Sequence, residues 1–369
     1  MRTVSLFIKP VSGACNISCR YCFYCDIVQK REFLLREKMT EDALDTIVKK
    51  VFDVTPKNIQ FAFQGGEPTL AGLDFFKTLV RLVRKYNAKG ASVSYSIQTN
   101  GIVIDEGWAE FLAQNGFLVG LSIDGTKEIH NQNRIDRRGE GTHAKVMNAA
   151  RLMSRYKVEY NAVTVITPGI VKHIDSIYAF YKKNGIDYMQ FIPCLDPLYA
   201  PRGEHQYSLT PQMYERFLKR LFDLWFHELM SGGYTYIRTF ESLLFLMKGL
   251  PSPSCGMNGK CVNQMVIEAD GGVYPCDFYV LDEYKIGNIL EDELTDLIEK
   301  GNHCEFIKQS LVQDRECDLC EWNRLCNGGC RRDRQTEHGL GQHYYCDTFK
   351  RFFEYAGDRL QMLADRVNI

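Results

Sequence analysis

The chain has 369 residues, 45% hydrophobic and 25% charged, a composition that excludes disorder and collagen-like repeats. Forty-five Lys and Arg against 46 Asp and Glu leave a net charge of −1, which excludes a broadly electrostatic nucleic-acid binder. No apolar run reaches the ~18 residues of a membrane helix, and Met1–Pro10 carries no small-residue cleavage site, so a cytoplasmic protein without a membrane partner is expected. Short segments rich in Val, Ile, Phe and Tyr, nearly continuous in apolar character, predict buried strands at Val4–Lys9, Asn58–Phe63, Ser92–Ile97, Phe117–Ser122, Glu159–Ile166 and Asp187–Ile192. Helical stretches follow at Thr40–Phe52, Leu73–Tyr86, Asp105–Gln114, Thr142–Arg155, Val171–Lys183 and Pro211–Leu229. Thr40 is the expected N-cap of the first of these, with two acids behind it. This alternation, without a dinucleotide-binding fingerprint, predicts an α/β protein with a partial (β/α)6 barrel. Pro251 and Pro253 among serines break the pattern, which sets expected domains at 1–234 and 235–369, the second cysteine-rich and closed by a helix at Asp347–Val367.

Fourteen cysteines are many for such a chain, and without a secretory leader a disulfide framework explains them poorly. Clustered thiols in a reducing compartment point to metal or redox chemistry. Cys15, Cys19 and Cys22 lie on one short loop after the first strand, at a spacing that can hold three irons of a four-iron cluster and leave the fourth open for chemistry. A zinc knuckle is the structural alternative. The glycines of Gln64-Gly65-Gly66-Glu67-Pro68, after the second strand, permit close backbone approach to a ligand, and the Glu can take an ammonium group. Gln98-Thr99-Asn100-Gly101 and Ser122-Ile123-Asp124-Gly125 end the next two strands, and Arg134 follows. Polar groups at successive strand ends are where barrel active sites sit. In the second domain Cys255, Cys261, Cys276, Cys317, Cys320, Cys326, Cys330 and Cys346 make up two four-thiolate sets, suited to zinc ribbons or iron–sulfur clusters alike. Cys25, Cys194 and Cys304 remain as free thiols.

The Cys15–Cys22 motif, with Tyr21 before its last cysteine, resembles that of the radical S-adenosylmethionine enzymes. The resemblance implies a four-iron four-sulfur (4Fe–4S) cluster whose open iron chelates S-adenosylmethionine, and whose electron releases a 5′-deoxyadenosyl radical. It further implies cofactor contacts from Tyr21, Gly65, Gly66, Glu67 (the methionine amine), Gln98, Ser122, Asp124, Arg134 (the methionine carboxylate) and Leu195. Cys261, Gly271, Cys276 and the Cys317–Cys330 run resemble the SPASM extension of these enzymes, which implies two auxiliary 4Fe–4S clusters. The implied sets interleave: Cys255, Cys261, Cys276 and Cys330 on one, Cys317, Cys320, Cys326 and Cys346 on the other.

Over nearly its whole length the chain resembles the anaerobic sulfatase-maturating enzymes, in Cys15–Tyr24, Phe61–Gly72, Gln190-Phe191 with Cys194–Tyr199, Ser254–Gly259 and Tyr274–Leu281. That resemblance implies oxidation of a Cys, or a Ser, in a Cys-x-Pro-x-Arg segment of an unfolded or nascent sulfatase to Cα-formylglycine. Asp277 would act as general base, Tyr24 and Gln64 would orient the substrate, and a reduced flavodoxin or ferredoxin would supply electrons. Two alternatives stand beside it: a peptide maturase forming thioether or carbon–carbon crosslinks, and a non-catalytic iron–sulfur electron carrier.

Overall fold

A computed structural model describes residues 3–31, 38–336 and 338–366; Met1 and Val367 lie outside the described residues. In chain order the first elements are β1 (Thr3–Ile8), α1 (Phe23–Gln29), α2 (Glu41–Asp53), β2 (Asn58–Phe63), α3 (Leu73–Tyr86), β3 (Ser92–Thr99), α4 (Glu106–Gln114) and β4 (Phe117–Ser122). There follow α5 (Lys127–Asn133), α6 (His143–Tyr156), β5 (Tyr160–Ile166), α7 (Ile174–Lys183), β6 (Tyr188–Pro193), α8 (Pro211–Met230), β7 (Tyr236–Ile237) and α9 (Arg238–Met247). The last are β8 (Val266–Ile267), β9 (Gly272–Tyr274), β10 (Gly287–Asn288), α10 (Leu294–His303) and α11 (Cys346–Arg366).

The chain forms two compact units. One holds residues up to Ser122, Arg134–Tyr160 and Val262–Ile307; the other holds Ile123–Asn133, Asn161–Cys261 and the chain from Lys308 on. This differs from the expected cut after residue 234. The reason is β8, which pairs in parallel with β1 (Phe7 opposite Val266) and so draws the segment around it into the first unit. The order there is β10-β9-β8-β1-β2-β3-β4, with β8 through β4 parallel and β9 and β10 antiparallel at the edge. In the second unit β5, β6 and β7 pair in parallel.

Local chemistry accounts for the elements. Thr40 caps α2 by accepting the Ala43 N–H, and Asp105 caps α4 by accepting the Trp108 N–H. The expected helix Val171–Lys183 is instead two: Thr167-Pro168 starts a short helix, Pro168–Lys172, which breaks at His173 before α7. Strands β1 and β2 are buried on alternate residues, Val4, Leu6 and Ile8 in one, Ile59, Phe61 and Phe63 in the other. The uniformly apolar burial expected of them is therefore confined to one face, and Ser5 and Gln60 stand on the other.

The buried face meets an aromatic cluster in which Phe76 is fully buried, its ring 5.0 Å from Phe63 and 5.4 Å from both Phe75 and Trp108. Phe76→Ala is expected to lower stability by about 3–5 kcal/mol, read as a shifted urea midpoint with an unchanged slope.

Candidate active site

The carboxyl ends of the parallel strands in the first unit form a row of polar residues: Glu268 after β8, Lys9 after β1, Gln64 after β2, Thr99 and Asn100 at β3, and Ser122 at β4. The loop carrying Cys15, Cys19 and Cys22 is fastened to this row. Gly66 N–H donates to Ser12 O and Glu67 N–H to Ala14 O, both at 2.7 Å. A Cβ on Gly66 would lie 2.0 Å from the Ala14 carbonyl oxygen, so only glycine permits the approach. Gly65, at φ +125°, turns the chain into it.

Ile17–Cys19 pairs antiparallel with Arg134–Asp136, which sets Arg134 opposite Cys19. Its Nη1 lies 4.0 Å from the Cys19 sulfur and its guanidinium 5.5 Å from the centre of the Tyr21 ring. Asn100 Nδ2 lies 3.9 Å from the Cys15 sulfur. Burial pushes the Cys15 thiol up to about 11, whereas a hydrogen bond from Cys25 brings Cys22 down to about 6. Cys25, expected to stand apart, therefore belongs to this thiol group, and it also feels the charge of Cys15 and Cys19. Grouped thiols with a nearby cation suit an iron–sulfur cluster.

Glu67 is almost fully buried. Its Oε1 accepts from Thr69 N–H, Thr69 Oγ1 and Thr99 Oγ1, and its Oε2 accepts from Asn100 N–H at 2.7 Å. Burial raises its pKa and these donors oppose the rise. The carboxylate expected to take an ammonium is thus first a brace between the ends of β2 and β3, with a single hydrogen bond at Oε2. Gln98 Nε2 donates to Ser122 Oγ at 2.9 Å, which brings those two expected residues together.

Asp277 lies just past β9 and is 6% exposed. Gln64 Nε2 donates to its Oδ2 at 3.0 Å, and the ammonium of Lys9 pairs with its Oδ1. Gln264 Oε1 accepts its N–H at 2.9 Å. Tyr24, expected to orient a substrate, instead gives its hydroxyl to Glu268. Burial first, and then the Glu268 carboxylate, hold that phenol well above its usual range, so it is a neutral donor already committed. Lys9, Glu268 and Arg31 complete the group and were not legible as site residues. The one signal was a lysine closing an apolar strand directly before Pro10.

In the second unit the thiols fall into two sets. Burial raises Cys330, which feels Cys255 and Cys261. Burial pushes Cys326 up to about 12, and it feels Cys346, Cys317 and Cys320. Those last four thiols line one pocket, together with Trp322, Phe349 and Lys350. Asp124 is buried, its Oδ1 accepting the Val165 N–H at 3.1 Å, and Leu195 is half-buried beside buried Cys194. Cys304 is half-buried at the end of α10. None of the described cysteines is disulfide-bonded. No helix among the described residues is long and apolar enough to cross a membrane.

Residues 10–183 match the radical SAM superfamily, and residues 257–326 match an iron–sulfur cluster-binding domain, SPASM. A cysteine-type anaerobic sulfatase-maturating enzyme of Clostridium novyi (strain NT) is 48% identical over 366 residues, 99% of this chain and 98% of the relative. The chain belongs to the anaerobic sulfatase-maturating enzymes. A serine-type member from Bacteroides thetaiotaomicron is 29% identical over 98% of this chain and 91% of that protein. The solved structure of native anSMEcpe with bound AdoMet and the Kp18Cys peptide superposes with a TM-score of 0.95 at 47% identity, covering 99% of this chain and 100% of the other. The α/β class, the radical SAM domain and the cysteine-rich SPASM domain expected from sequence are therefore those of the family.

Gly66→Ala is expected to displace the Cys15–Cys22 loop. The purified variant should carry about eight irons per chain, against about twelve in the parent, and release no 5′-deoxyadenosine.

Proposed function

We propose that this enzyme oxidises a cysteine in a Cys-x-Pro-x-Arg segment of an unfolded or nascent sulfatase to Cα-formylglycine. The observation that carries the reading is Asp277, a buried carboxylate held at both oxygens among the strand ends, in a chain of the cysteine-type family. The cysteine preference follows the 48% identity to a cysteine-type enzyme against 29% to a serine-type one.

In this reading Cys15, Cys19 and Cys22 hold one cluster. Cys255, Cys261 and Cys330 hold a second with Cys276, the fourth ligand carried over from the SPASM pattern. Cys317, Cys320, Cys326 and Cys346 hold a third; the four-thiol cavity supports that set. The family matches at 10–183 and 257–326 support a radical module ahead of residue 234 and an auxiliary module behind it. When bound, S-adenosylmethionine and the clusters supply a hydrogen-abstracting radical and a nearby electron acceptor.

The chain's own residues do the rest. In this reading Arg134, 4.0 Å from the Cys19 sulfur, meets the methionine carboxylate, and Glu67 meets the methionine amine. The family resemblance assigns Tyr21, Gly65, Gly66, Gln98, Ser122, Asp124 and Leu195 to the cofactor as well. Asp277 takes the proton of the substrate thiol as the Cβ hydrogen leaves as an atom and one electron passes on. The sum is a two-electron oxidation to a thioaldehyde, which water converts to the aldehyde with release of hydrogen sulfide. Gln64 keeps the receiving carboxylate in orientation. The protein would work in the cytoplasm, drawing its electrons from a reduced flavodoxin or ferredoxin.

Mass spectrometry of an anaerobic reaction tests this, with reconstituted enzyme, reductant, S-adenosylmethionine and a Cys-x-Pro-x-Arg peptide. Aldehyde in place of thiol is expected, with 5′-deoxyadenosine released; 5′-deoxyadenosine with the peptide intact would redirect the search to another peptide modification. Asp277→Asn is expected to suppress aldehyde while keeping about twelve irons. Replacing Cys15, Cys19 and Cys22 together by Ala should leave about eight irons and no cleavage of S-adenosylmethionine.

A further inference from the structure

We infer that Lys9 is a positioning residue for the oxidation, setting the Asp277 carboxylate for proton removal, and that the Tyr24–Glu268–Arg31 chain sets Lys9 in turn. The inference rests on the reading of Asp277 as the base.

Lys9 has no exposed surface, although a lysine almost never loses all contact with water unless its ammonium is paired. Its backbone N–H is anchored to Ile267 O at 2.8 Å, at the junction of β1 and β8. Its ammonium meets Asp277 Oδ1, while Gln64 meets Oδ2 from the end of β2. A buried cation on one oxygen and a hydrogen-bond donor on the other, from two adjacent strand ends, hold the carboxyl group in place. Each oxygen keeps one lone-pair direction for a substrate proton.

The ammonium also lies 3.4 Å from the centre of the Tyr24 ring, on its face. That ring is pinned by its own hydroxyl on Glu268, and Glu268 Oε2 lies 3.5 Å from Arg31 Nη1. Arg31 in turn donates to the Tyr274 hydroxyl at 3.1 Å. The buried charges thus alternate: Asp277, Lys9, Glu268 across the Tyr24 ring, then Arg31. Two cations balance two anions, and Lys9 is the member that touches the proposed base. Tyr24, itself buried, thereby serves the reaction through Lys9.

The test is a double-mutant cycle on the full-length reconstituted enzyme with the Cys-x-Pro-x-Arg peptide, reading aldehyde formed per 5′-deoxyadenosine released. Lys9→Met is expected to lower aldehyde formation on the order of 10–100-fold while 5′-deoxyadenosine is still released, with the peptide KM nearly unchanged. Lys9→Arg, which keeps the cation, should recover part of the loss. The variant Lys9→Met/Asp277→Asn should be no slower than Asp277→Asn alone, because both changes remove the same function.

Wild-type aldehyde yield from Lys9→Met overturns the inference. So does a double variant slower than Asp277→Asn by the full factor that Lys9→Met shows alone, since that factor would then be independent of the carboxylate. Iron content checks the fold, and Lys9→Gln serves if Met costs the clusters. If both neutral variants lose iron while Arg keeps it, Lys9 is structural and the inference fails. An unimpaired Asp277→Asn would defeat the base reading itself. An impaired Asp277→Asn beside an unimpaired Lys9→Met would defeat only the role of Lys9.

Discussion

The backbone seam between residues 12–14 and residues 66–67 fixes where the rest of the first unit's strand-end site can stand. Its two hydrogen bonds are individually modest, roughly 1 kcal/mol each in net terms. What they supply is exclusion: with no space for a side chain at Gly66, one register of the cysteine loop against the end of β2 is permitted. Glu67 then gathers Thr69, Thr99 and the Asn100 N–H, which ties β3 to the same seam. Asn100 reaches back to Cys15 and to Asn16 Oδ1, the latter at 2.8 Å. The thiols that would hold a reactive cluster are thereby placed by rigid strand ends, although they lie on a loop.

The buried charges beside the seam are not explained by stability. Removing one partner of a buried ion pair costs about 3–5 kcal/mol, a large share of the roughly 5–15 kcal/mol that holds a domain folded. Replacing a whole pair by apolar side chains is commonly neutral or stabilising. An apolar filling of the space around Lys9, Tyr24 and Glu268 would therefore fold as well or better. In the proposed reading, charge there, at the carboxyl ends of parallel strands, serves to set the Asp277 carboxylate.

Much of this was legible in the sequence. The six long strands and the helix Leu73–Tyr86 follow from apolar runs and 3.6-residue periodicity, and the cap residue Thr40 is legible as well. The division of the thiols into two sets comes from the family resemblance, because spacing alone does not reveal the pairing, and Gln64, expected to orient the substrate, lies 3.0 Å from Asp277. Strands β8, β9 and β10, of two or three residues each, are too short to carry a period. Without β8 nothing in the sequence brings Glu268 beside Lys9. The Glu268 partner of Tyr24 was not legible because it lies 244 residues along the chain. Lys9 and Arg31 were passed over because an isolated charge after a strand or helix ordinarily faces water.

That same separation bears on how the protein is made. The first unit closes only when β8 pairs with β1, and Glu268 leaves the ribosome 244 residues after Tyr24. At about 5–20 residues per second the wait is on the order of 12–50 s. Through that interval β1 is an open edge, next to a lysine without its carboxylate, and the first three cysteines have no finished site around them. Cluster insertion and chaperone protection therefore belong to the end of synthesis, and truncation anywhere before residue 288 leaves a sheet with an unsealed side.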